Sequence, residues 1–142
     1  MDKTFHAEAN RDIPLLIARV LMMLLFLIFG WEKLTNYDGT IAYFTQGGVP
    51  MPALSAVIAV VAELGAGIAI TLGILTRPVS VLLALYTLAT ALLGHHYWTM
   101  SGAERAAAEI DFFKNISIVA GLLLLWSAGA GKYSIDNKLG LG

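Results

Sequence analysis

Four apolar stretches, separated by polar or turn-forming segments, set the pattern of this chain. The first runs from about Ile13 to Gly30 (13–30), the second from Ala53 to Leu75 (53–75). The third runs from about Val79 to Tyr97 (79–97) and the fourth from about Ile116 to Ala130 (116–130). A helix needs roughly 20 apolar residues to cross a bilayer core, so these stretches read as membrane spans. The punctuation agrees. Pro14 suits a first helical turn. The turn-rich Gly47–Pro52 precedes the second span, and Arg77-Pro78 breaks the second from the third. Lipid demands internally satisfied backbone, and the stretches are far too long for barrel strands. The expected fold is therefore all-α: one domain over 1–142, built as a four-transmembrane-helix bundle. Ser101 with Glu104 fits a capping box and predicts a short interfacial helix, about Gly102 to Phe113, between the third and fourth spans and running into the fourth.

Composition sharpens this reading. The chain is 58% hydrophobic and 13% charged, with mean hydropathy +0.74. A soluble domain carries about 25% charged residues. Net charge is −1 and no basic patch stands out, which argues against a nucleic-acid partner. There are no cysteines, so disulfides, thiol redox chemistry and thiolate metal or iron–sulfur sites are excluded. The opening MDKTFHAEANRDIP has no small-residue cleavage site, so the first stretch is expected as a retained helix rather than a signal peptide.

Four spans place both termini on one side. Lys3, Arg11, Arg77, Lys132 and Lys138 fall there and outnumber Lys33, Arg105 and Lys114 on the other. That bias predicts both termini in the cytoplasm. Trp31, Tyr97 and Trp98 then stand at the outer interface as an aromatic belt.

Two charges interrupt the spans. Glu63 lies near the middle of the second, and Arg19 breaks the first. A charge at mid-membrane costs roughly 2.5–3.5 kcal/mol by insertion scales, so it normally faces protein or a wet cavity. At spacing four, Ser55, Ala59, Glu63, Gly67 and Thr71 form a small or polar face, which lets helices approach and points Glu63 inward. A structural ion pair and a ligand or proton site are both open. A direct Arg19–Glu63 pair would bridge about 9 Å of depth, counted at 1.5 Å per residue, against the lean of both side chains. The alternative is that Arg19 snorkels or bonds helix-terminal carbonyls.

Other polar residues gather at the outer ends. Lys33 closes the first span as a second structural charge, His95 and His96 close the third, and Lys114-Asn115 opens the fourth. Adjacent histidines point about 100° apart, so one faces inward; the rows Tyr86-Thr90-Gly94 and Thr87-Ala91-His95 favour His95. Glu63, His95, Lys114 and Asn115 are thus candidates for a ligand-binding polar vestibule. No catalytic residue declares itself. No metal site is expected, since no His or Glu pair has helical ligand spacing. A haem would need two axial histidines on facing helices, and only His6 adds to His95 and His96.

The ordered set of motifs resembles the DoxX family of small membrane proteins. It comprises Arg19 to Gly30 with Lys33-Leu34, Gly48-Val49-Pro50, then Glu63 to Gly67 and Leu72 to Arg77. His95 or His96, Phe113-Lys114-Asn115 and Gly129 to Asp136 complete it. The resemblance covers Ile13 to Asp136 and implies four helices with a respiratory or redox association, through oxidoreductase partners. The chain has no redox-active residue of its own, so it is not expected to be an enzyme alone. Three functions follow. The first is a quinone- or lipid-binding accessory subunit of a membrane oxidoreductase, with His95, Lys114 and Asn115 as donors beside Phe112 and Phe113. The second is a small proton-coupled transporter in which Glu63 titrates; a chain this short would then work as a homo-oligomer. The third is a non-catalytic membrane assembly factor.

Overall fold

The computed structural model describes the backbone of residues 3–141 and the side chains of residues 11–141; the side chains of Lys3 and His6, and Gly142, lie outside the described residues. The described chain is helical. Helix α1 is Lys3–Thr35, α2 is Tyr37–Gln46, and α3 is Pro52–Val60. A π-helical stretch, Val61–Ala66, joins α3 directly to α4, Gly67–Leu72. Helix α5 is Thr76–Gly94, α6 is Gly102–Ala128 and α7 is the single turn Ile135–Lys138. A 3₁₀ turn, Tyr97–Thr99, links α5 to α6.

Among the described residues, three stretches are long and apolar enough to cross a membrane: Arg11–Thr35, Pro52–Leu72 and Thr76–Thr99. Only 22–28% of their most apolar windows is buried within the protein. Outward-facing Leu21, Ile28, Leu82 and Leu85 are each about 60% exposed or more, the surface a lipid-embedded helix presents. Helix α6 is long enough too, but its N-terminal half carries Glu104, Arg105, Glu109, Asp111 and Lys114.

Two local expectations change. Helix α1 starts at Lys3 instead of near Ile13, so Pro14 sits inside it rather than in its first turn. The connection after the first span holds α2, which the apolar pattern missed because YDGTIAYFTQ is short and mixed. The helix expected at about Gly102 to Phe113 forms the N-terminal half of Gly102–Ala128, which runs unbroken into the fourth apolar stretch.

The core joins Met23 and Phe26 of α1, Ile70 of α4, Leu83 and Ala84 of α5, and Leu122 and Leu125 of α6. Helix α6 lies antiparallel along the whole of α5. Tyr97 packs on Phe112 at one end, Thr90 meets Asn115 between, and Arg77 reaches Trp126 at the other. Glycine lets α1 approach the second span. A Cβ on Gly30 would lie 3.0 Å from both Glu63 Cβ and the Leu64 backbone nitrogen, and one on Gly67 would lie 3.0 Å from Leu27 Cδ2. That close seam is where Glu63 enters the bundle.

Candidate functional site

Glu63 is buried, at 7% exposure, and sits inside the π-helical stretch. A π turn adds a residue and displaces the register of the side chains it carries; such bulges are often found at functional sites. Two donors hold the carboxylate. Lys33 Nζ of α1 lies 2.8 Å from Oε2, and Tyr86 Oη of α5 donates to Oε1 at 2.7 Å. Lys33 reaches down from the last turn of α1, and Glu63 leans up to meet it, as side chains lean toward the N-termini of their antiparallel helices. The ion pair is not sealed within the bundle: the Lys33 side chain is 23% exposed and that of Glu63 10%. A charged acceptor with two charge-matched or phenolic donors forms a fully paired unit across three helices.

Beside this triad runs an apolar groove of about 300 Å³. One wall is Val61, Ala62, Gly65, Ala66 and Ala69, the residues that flank Glu63; the other is Val79, Leu82 and Leu83 of α5. Tyr86 stands three and four residues beyond Leu83 and Leu82, on the same helical face. The groove therefore ends near the Tyr86–Glu63 hydrogen bond. A Cβ on Gly65 would meet nothing within 4 Å, so the wall is open there.

The four residues expected to line a vestibule do not share one hydrogen-bond network. Lys114 pairs with Asp111 at 2.6 Å on the exposed side of α6. His95 Nδ1 lies 4.0 Å from the same Asp111 carboxylate. Buried Asn115 donates to Thr90 Oγ1 at 3.2 Å, fastening α6 to α5. Tyr97, Trp98, Phe112 and Phe113 interlock beside them, mostly edge to face, with centroids 5.4–6.1 Å apart. The partner that Glu63 takes instead of His95 or Lys114 is Lys33, together with Tyr86. Sequence reasoning placed Lys33 at this end but not against Glu63, and named Tyr86 only as part of a polar row. The available signal was the lean of Glu63 toward the level of Lys33.

Arg19 does not pair with Glu63. It is 1% exposed and donates to the backbone carbonyls of Ala130 and, at 2.6 Å, Tyr133. The carbonyl alternative therefore holds. Arg77 donates to Trp126 O at 3.2 Å and Arg11 to Ala128 O at 3.0 Å. Three arginines thus complete the carbonyls at and just beyond the C-terminus of α6, where the helix leaves acceptors unpaired and its dipole favours cations. The following segment turns back through Gly129 (φ +77°) and Gly131 (φ +75°), and Lys132 N donates to Asp12 Oδ1 at 3.0 Å. The start of the first span and the C-terminal segment consequently share one end of the bundle. Among the described residues, no three His, Cys, Asp or Glu side chains gather as metal ligands do.

The model of the DoxX family matches residues 14–96. The chain is 48% identical over 134 residues to inner membrane protein YphA of Escherichia coli (strain K12), covering 94% of this chain and 96% of that protein. It is 42% identical over 128 residues to inner membrane protein YqjF of the same organism, covering 90% and 93%. It is 33% identical over 85 residues to CatD of Bacillus subtilis (strain 168), whose name provisionally assigns it as an oxidoreductase; the match spans 60% of this chain and 58% of CatD. No solved structure matches.

Proposed function

The chain belongs to the DoxX family of membrane proteins, and from that premise we propose that it is an accessory subunit holding the head of a lipid-soluble quinone at Lys33, Glu63 and Tyr86. One observation carries this reading. A buried carboxylate, paired with two donors, stands where an apolar groove between two membrane-spanning helices ends. A quinone head offers two carbonyl acceptors and needs donors; its reduced form offers two hydroxyl donors and needs an acceptor. The ammonium hydrogens of Lys33 not committed to Glu63 meet the first need and the Glu63 carboxylate the second, with Tyr86 holding that carboxylate in place. The groove supplies the apolar slot for ring and tail, entered from the bilayer. Electrons would come from a partner oxidoreductase, since this chain has no redox-active side chain, and the name of CatD supports such an association. His95, Lys114 and Asn115 form a separate polar group near the outer aromatic cluster and act in this reading as a rim rather than the site.

The proposed topology has four crossings, with α6 as the fourth. Its alignment along the full length of α5 supports this, as does its apolar C-terminal half. The Lys/Arg bias places the arginine end, with both termini, in the cytoplasm. The names of YphA and YqjF support an inner-membrane location.

The test is binding of a short-chain benzoquinone to the purified protein in nanodiscs, with mass spectrometry of copurifying lipids and quinones. Glu63→Gln and Tyr86→Phe are each expected to weaken binding about tenfold, the equivalent of roughly 1.4 kcal/mol. Gly65→Leu, which fills the groove without touching the triad, should weaken it as well. Unchanged affinity in all three removes the quinone reading. The partial exposure of Lys33 at the end of α1 favours a second reading, proton-coupled carriage through Glu63. Flux into liposomes that Glu63→Gln abolishes would select it. A partner-dependent phenotype indifferent to Glu63→Gln would select an assembly role.

A further inference from the structure

The two walls of the groove are joined by the turn Gly73–Leu75, and that turn is held in a costly shape. Gly73 has φ +70° and Leu75 φ +46°. For a branched, non-glycine residue the left-handed region is disfavoured by roughly 1–3 kcal/mol and persists only where the surroundings enforce it. The enforcing group comes from the far end of the chain. Asp136 accepts from Leu75 N at 2.7 Å and from Thr76 N at 2.8 Å, and its own backbone N–H donates to Gly73 O at 2.8 Å. Asp136 thereby caps α5 from outside and closes the turn on both sides. It is 4% exposed.

The segment that carries Asp136 is itself fastened. Buried Arg19 holds the carbonyls of Ala130 and Tyr133, and Asp12 holds Lys132 N. Ser134 packs so closely on the turn that a Cβ on Gly73 would stand 2.4 Å from its own Cβ. Ser134 Oγ accepts from Asn137 N at 3.1 Å and starts α7. Ala69 and Val79, the groove residues nearest this turn in sequence, lie four and three residues from Gly73 and Thr76, about one helical turn on each wall.

We infer that the C-terminal segment is a strap that sets the spacing of the two groove walls, with Asp136 as its positioning residue. The groove is clasped at one end by the Tyr86–Glu63 bond and at the other by the strap. Loosening Asp136 frees Leu75 to leave its left-handed conformation and lets α4 and α5 splay about the turn. This regulation of the site rests on the quinone reading only where binding is measured; the geometry of the strap is tested independently.

The chain has no cysteines, so a labelled pair reports cleanly. Val61→Cys with Leu82→Cys places nitroxides on the exposed rims of the two walls, and Leu88→Cys with Leu124→Cys serves as a control across α5 and α6. In nanodiscs, Asp136→Asn should shift the groove pair to longer, broader distances and leave the control pair unchanged. No shift in the groove pair of folded Asp136→Asn overturns the strap. Equal broadening of both pairs also overturns it, because that is general loosening. If Asp136→Asn does not fold, Ser134→Ala removes the cap of α7 and the hydrogen bond from Ser134 Oγ to Gly131 O; it should shift the groove pair in the same direction, and an unmoved pair overturns the proposal. Benzoquinone affinity should fall with the shift. A shift with unaltered affinity keeps the strap and removes the quinone reading.

Discussion

Replacing Lys33 with Met should destabilise the protein more than replacing both Lys33 and Glu63 with neutral isosteres. The ion pair spans 2.8 Å, with its side chains 23% and 10% exposed. Removing one member of a fully buried pair costs about 3–5 kcal/mol, chiefly because a charge is left without its counter-ion. Partial exposure of Lys33 lets water screen what remains, which lowers the expected cost to about 2–3 kcal/mol. Tyr86 still donates to Glu63 in Lys33→Met, so the carboxylate keeps one hydrogen bond but no cation. Glu63→Gln alone leaves the ammonium beside an amide and should cost about 1–2 kcal/mol less than Lys33→Met, because Lys33 can turn toward water. In the double variant no charge is stranded, so its loss should be smaller than the sum of the singles by about 1–3 kcal/mol. Equilibrium unfolding in mixed detergent–SDS micelles, followed by far-UV circular dichroism, measures all three. Strict additivity would show that the pair carries no coupling and that Glu63 is held by packing alone.

Tyr86→Phe removes the second donor to the carboxylate and should cost about 1.5–3 kcal/mol in the same unfolding assay, with far-UV spectra unchanged. Two glycines of the same region should respond in opposite ways. Gly30→Ala drives a methyl against Glu63 Cβ and the Leu64 backbone and should cost about 1–3 kcal/mol, whereas Gly65→Ala meets open space and should be neutral or stabilise by up to about 1 kcal/mol. Equal behaviour of the two would refute the close approach of α1 to the π turn. A reporter fused after Gly142 should behave as cytoplasmic; activity of a periplasm-only reporter there would reverse the topology.

The broad architecture was legible because apolar run length carries it: the first three stretches appear as helices close to where the pattern put them. What the pattern could not show were features set by contacts between distant segments. Pro14 read as a helix start because nothing local announces that the polar Lys3–Asp12 segment continues the helix. The π turn has no signature in VAELGA, whose residues suit an α-helix equally well. Glu63 was recognisable as an inward-facing charge from its cost in lipid and its small-residue face, but its partners depended on register. A shift of one residue at the π turn decides whether the carboxylate meets Tyr86. Asp136 and two of the arginines at the end of α6, Arg11 and Arg77, escaped notice for another reason. Charges at span ends look like topology signals, and a sequence does not distinguish a solvated lysine from an arginine that a returning chain will bury.

The buried guanidinium of Arg19 also imposes an order on biosynthesis. Its acceptors, Ala130 and Tyr133, emerge from the ribosome more than a hundred residues after it. Until they arrive, the first span carries an unsatisfied cation inside the forming bundle, and Leu75 lacks the carboxylate that holds its strained turn. A chain that stops before Tyr133 and Asp136 should therefore be a poorer membrane protein than one that carries them. A chain stopped after Lys132 retains every membrane-crossing helix, yet it should be cleared by membrane proteases faster than the full chain in a pulse–chase experiment.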